Sequence, residues 1–78
     1  MILTSVIKVE PLCITLEDDA TGETHVIPVE KFPIMDQEIQ MGQIFEVDFE
    51  NDIIYFNEEE TVSRRAKVAS LLARLHKI

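Results

Sequence analysis

Along the first 56 residues the apolar positions recur mainly at every second residue, and from residue 57 they recur at spacings of three and four. The first rhythm is that of half-buried strands, the second that of a helix. Residues 2–10 are strand-like, with β-branched Ile2, Thr4, Val6, Ile7 and Val9. Pro11 interrupts, and a second strand resumes over 12–16 with Leu12, Ile14 and Leu16 on one face. Asp18, Asp19, Ala20, Thr21 and Gly22 have the composition of a turn, where Gly22 can take a positive φ. A third strand spans 23–29, with His25, Ile27 and Val29 opposing Thr24 and Val26; Pro28 places it at a sheet edge or bulge. Phe45, Val47 and Phe49 alternate with Glu46, Asp48 and Glu50 as a strand with one solvated acidic face. Asn51 and Asp52 then read as a two-residue turn leading into a fifth strand over 53–56.

The remaining residues, 57–78, form one amphipathic helix. Asn57 is its N-cap, and Glu60 three residues on completes a capping box. Glu58, Glu59 and Glu60 suit the positive end of the helix dipole, and Arg74, His76 and Lys77 suit its negative end. At about 100° per residue the apolar positions divide into two faces. Val68, Leu71, Leu72, Leu75 and Ile78 make a broad aliphatic face; Val62, Ala66, Ala69 and Ala73 make a narrower one of small side chains. The broad face needs a cover, because so many exposed aliphatics form a sticky patch. The small face admits close approach by a strand of the same chain or by a helix of a second copy.

Residues 30–42 follow neither rhythm. Phe32, Ile34, Met35, Ile39 and Met41 are read either as a lid folded over the end of the strands or as an adaptable partner-binding surface. The expected fold is therefore α+β in a single domain, 1–78. A small antiparallel meander or barrel of about five strands, the size of an OB-fold or SH3-like unit, occupies 1–56, and one C-terminal helix follows. The helix can plug the barrel or flank it, and strand order is left open.

Charge sharpens this picture. Residues 1–60 hold all 15 acidic residues against Lys8 and Lys31, a net of −13, whereas 61–78 hold five basic residues and no acid, so the chain carries −8. A basic helix sheltering on an acidic strand body, its own or a second copy's, is the expected arrangement. A strongly acidic body repels phosphate, so direct nucleic-acid binding is not expected. No apolar run approaches the length that spans a bilayer, and the first residues lack the basic start of a signal peptide. One cysteine forms no internal disulfide; Cys13 reads as a small buried hydrophobe in a reducing, cytoplasmic setting.

Candidate chemistry is sparse. His25 and His76 are far apart and stand in no recognisable motif, and one cysteine with scattered carboxylates gives no metal-ligand spacing. Only Gly22 and Gly42 are present, so there is no glycine-rich phosphate loop. No enzymatic activity, cofactor or metal is expected. Arg64 and Arg65 are the exception: on the helical wheel Arg64 falls within the broad aliphatic face and Arg65 beside it. Either their stems pack while their guanidinium groups pair with body carboxylates, or they hold a small anionic ligand of nucleotide type at the seam.

The segments Pro28-Val29-Glu30-Lys31-Phe32-Pro33, Gly42-Gln43-Ile44 and Glu60-Thr61-Val62-Ser63-Arg64-Arg65 resemble an uncharacterised family of small bacterial proteins, domain of unknown function three-thousand-and-six. The resemblance covers nearly the whole chain and implies short strands followed by a helix, without implying an activity. Three functions are expected in order. The first is a non-enzymatic interaction or regulatory module that self-associates as a dimer or larger. Its contacts would be Leu71 and Leu75, or the segment containing Phe32, Ile34, Met35, Ile39 and Met41. The second is a small anionic-ligand binder using Arg64 and Arg65. The third is an acidic mimic of nucleic acid, of phage type, that inhibits a basic partner.

Overall fold

A computed structural model describes residues 1–75; His76, Lys77 and Ile78, assigned above to the helix end, lie outside the described residues, as does the side chain of Leu75. The chain forms β1 (Ile2–Val9), β2 (Cys13–Asp18), β3 (Thr24–Pro28), a single 3-10 turn (Val29–Lys31), β4 (Ile44–Asp48), β5 (Ile53–Phe56) and α1 (Glu58–Leu75). These five antiparallel strands and one C-terminal helix are the α+β architecture that the two apolar rhythms predict. Strand order is β3-β2-β1-β4-β5. The first three strands form a meander, and the segment between the 3-10 turn and β4 then carries the chain to the free side of β1. There Thr4 pairs with Phe45 and Ser5 with Ile44.

The sheet curls into a half-barrel whose edges, β3 and β5, stay unpaired. Pro28 lies on an edge strand, where its missing N–H disrupts no ladder. The ladder between β1 and β2 shifts between Val6 and Lys8, a bulge that adds bend to the central strand. Two contacts bridge the open seam. Lys31 Nζ lies 3.3 Å from Asp52 Oδ1, and the His25 and Phe49 rings meet at a tilt of 42° with centroids 4.6 Å apart. A cleft of about 210 Å³ opens between Ile27, Val47 and Ile54 there.

The concave face holds the core: Val6, Ile14, Leu16, Ile27, Phe45 and Val47, with Ile2, Ile54 and Phe56 packed around them. Phe32 closes it from the connecting segment, its ring edge-on to Phe45 at 5.2 Å and 88°. Thr4 is fully buried in the sheet, and its hydroxyl donates to the Phe45 carbonyl at 2.9 Å. Among the described residues no buried side-chain nitrogen or oxygen lacks a hydrogen-bond partner.

Three local expectations are corrected. Leu12 does not share the inward face of Ile14 and Leu16 but is 82% exposed, because Pro11 and Leu12 form the turn that Glu10 N–H closes on the Cys13 carbonyl at 3.0 Å. The β4–β5 connection is a four-residue loop, 49–52, rather than the two-residue turn Asn51-Asp52. Asp48 ends the strand early: its Oδ1 accepts from the N–H groups of Glu50 and Asn51, and Phe49 leaves the core for the seam. Asp52 then takes the positive φ of 54° that returns the chain to β5. The capping box is only half made. Asn57 Oδ1 accepts the Glu60 N–H at 2.9 Å, but the Glu60 carboxylate turns to Arg64 and the Asn57 N–H donates to the Ile44 carbonyl.

Candidate functional site: the groove beneath the helix

The helix flanks the half-barrel on its outer face. It begins directly after β5, and its first turns lie over β4 and β1. Ile44, outside the core cluster, is nevertheless 1% exposed because the helix root covers it. Thr61, also 1% exposed, joins the two elements: its hydroxyl accepts the Ile44 N–H at 2.8 Å and donates to the Asn57 carbonyl at 2.8 Å. One turn further, Arg64 ties the helix to the turn after β2. Its Nη2 lies 2.6 Å from Asp19 Oδ2 and its Nε lies 3.0 Å from Glu60 Oε1. Asp19 is itself held by the Ser5 hydroxyl at 3.3 Å. The two carboxylates raise the Arg64 pKa above its ordinary value, with Asp19 the larger influence.

Beyond Arg64 the helix runs past the sheet. An 18-residue helix is about 27 Å long, and strands spaced roughly 4.8 Å apart give its root a short platform. The described residues measure 48 × 26 × 20 Å, with a radius of gyration of 13.8 Å. A compact chain of this length has about 11 Å, so the projection dominates the shape. On the wheel Thr61, Arg64, Val68 and Leu72 share one side. The aliphatic face thus points the same way as the residues that grip the body but overhangs its edge. Val68 is 56% exposed, Leu71 59% and Leu72 52%. Of the two covers expected for this face, the chain's own body provides one only at the root, and Leu71 and Leu72 stay exposed in the single chain.

Under the overhang lies a groove of about 420 Å³, floored by Ser5, Gly42 and Ile44 and walled by Arg64, Arg65, Val68, Ala69 and Leu72. Its surface is almost wholly apolar apart from the two arginine side chains. Both candidate arginines thus line one site. Arg64 is engaged by Asp19 and Glu60, the carboxylate pairing weighed in the sequence, whereas Arg65 is exposed and makes no ion pair among the described residues. Lys67 and Arg74 are likewise exposed and unpaired among the described residues.

The segment from Phe32 to Met41 divides. Phe32 is buried, and Met35 and Ile39 are half-buried against the core, so these three act as the lid and Phe32 offers no surface to a partner. Ile34 and Met41 are exposed. Ile34, Met35, Tyr55 and Glu58 border a second hollow of about 370 Å³, separate from the groove. Sequence reasoning missed the residue that organises this segment. Gln43 is fully buried; its Oε1 accepts the Gln40 N–H at 2.8 Å and its Nε2 donates to the Glu38 carbonyl at 3.0 Å. It also missed the groove floor and Thr61. The available hint was Thr61 on the same side of the wheel as Arg64 and Val68.

No three His, Cys, Asp or Glu side chains converge as a metal site among the described residues. No described helix is long and apolar enough to cross a membrane. The chain matches no protein-family model, no curated protein and no solved structure.

Proposed function

We propose that the protein is a non-enzymatic interaction module that self-associates through its C-terminal helix. The observation that carries this reading is the overhang: Val68, Leu71 and Leu72, contiguous with an apolar groove, stay more than half exposed on a helix the body grips only at its root. Apolar surface so arranged marks an association site. Burying the exposed part of each such side chain favours association by roughly 1 kcal/mol. Apart from its two arginines the groove presents apolar surface, which argues for a side-chain partner over a nucleotide-type ligand, and Arg64 already has two carboxylate partners.

Sedimentation equilibrium across micromolar concentrations tests the proposal. The expected result is a mass of twice 9.0 kDa that falls to the monomer value in Leu72→Asp, with helix content by circular dichroism retained. A wild-type chain that stays monomeric throughout would refute self-association.

A further inference from the structure

The groove is walled by the same residues that need covering, so one surface serves as both insert and receptor. That property is the requirement of an isologous two-fold contact. Two relative directions of the helices are open to such a pair, and charge distinguishes them. Each helix begins with Glu58, Glu59 and Glu60 and carries Arg65, Lys67 and Arg74 further along. Parallel helices would set glutamates beside glutamates and arginines beside arginines. Antiparallel helices set the basic end of each against the acidic first turn, and the acidic body, of the other. The helix dipoles then also oppose favourably.

We infer, resting on the self-association proposed above, that the occupant of the groove is the helix of a second copy lying antiparallel, with the two-fold axis near Val68 and Ala69. Arg65 of one copy then faces Leu72 of the other, and the basic C-terminal part of each helix comes level with the first turns of its partner. Ala69, small and in the groove wall, permits close approach at the axis. Each groove is incomplete alone: its floor of Ser5, Gly42 and Ile44 comes from one copy and its filling from the other.

Mixed disulfide trapping tests the arrangement. On a Cys13→Ser background, which removes the single native thiol, Arg65→Cys and Leu72→Cys chains are mixed at equal concentration and oxidised gently. The expected product is the 65–72 heterodimer, well in excess of either homodimer. Predominance of 65–65 and 72–72 homodimers would establish parallel helices and overturn this inference while leaving self-association intact. A dimer by sedimentation with no crosslink at all would overturn it too, placing the interface elsewhere. A wild-type chain that stays monomeric would remove both proposals.

Discussion

At the root of the helix a single hydroxyl satisfies a buried backbone N–H that would otherwise lack a partner, and adds a second hydrogen bond to a carbonyl that already accepts the Thr61 N–H at 3.1 Å. The Ile44 N–H lies on the side of β4 turned toward the helix, and the Asn57 carbonyl belongs to the cap; Thr61 serves both within 2.8 Å. Valine has the same shape without the hydroxyl, so Thr61→Val leaves a buried donor unsatisfied at a cost of about 1–3 kcal/mol. Urea denaturation should show this as a lower midpoint with unchanged slope. Thr61→Ser, which keeps the oxygen, should recover most of the loss. Gln43 plays a comparable part for the connecting segment, where its amide binds groups of Gln40 and Glu38 in place of a regular ladder. Neither role was legible in advance. Threonine and glutamine are ordinary surface residues in sequence, and only the packing of a helix or a loop over them makes them interior.

Among the elements, the β4–β5 loop and the helix show how local polar chemistry overrides an alternating pattern. Phe49 continues the apolar rhythm of Phe45 and Val47, yet Asp48 ends the strand by accepting hydrogen bonds from two successive N–H groups and from Asn51 Nδ2. The Asn51 side chain, followed by the two N–H groups, holds the Asp48 carboxyl below its ordinary pKa. A carboxyl whose folded value is depressed contributes stability above its unfolded pKa and loses it as pH falls through the folded value. Acid titration below pH ~4 should therefore loosen this loop. The protection factors of the Glu50 and Asn51 amides, taken against intrinsic exchange at the same pH, should fall there, and in Asp48→Ala they should already be low at neutral pH with little further change on acidification. The helix itself was legible from its start. Asn57 caps it as expected, although Glu60 turns outward to Arg64 because a cation one turn away competes with the cap N–H for its carboxylate.

For the whole molecule, the separation of charge and the projection of the helix combine. The strand body and the first helical turn carry the acidic residues, and the contact of the body with the basic segment is concentrated at Arg64, leaving Arg65, Lys67 and Arg74 unpaired among the described residues. Association that binds only the folded chain raises apparent stability by mass action. The melting temperature of the wild type should thus rise with protein concentration through the micromolar range, and that of Leu72→Asp should not. Leu72 is 52% exposed in the single chain, so the variant's monomer should melt close to the wild type at low concentration.

The alternation of apolar residues, the Gly22 turn, the edge proline and the Asn57 cap determined by themselves five strands and one helix, because each depends on the backbone preferences of a few neighbouring residues. The opposite charges of the two segments were equally a property of composition. What the tertiary structure decided was where these parts meet: β4 beside β1, the helix on the outer face, Phe32 and Met35 turned inward while Ile34 stays out. Those outcomes depend on contacts between residues distant in sequence, such as Thr61 with Ile44 and Arg64 with Asp19. A helix too long for the sheet beneath it is visible only when both are laid together, and the groove exists because of that mismatch.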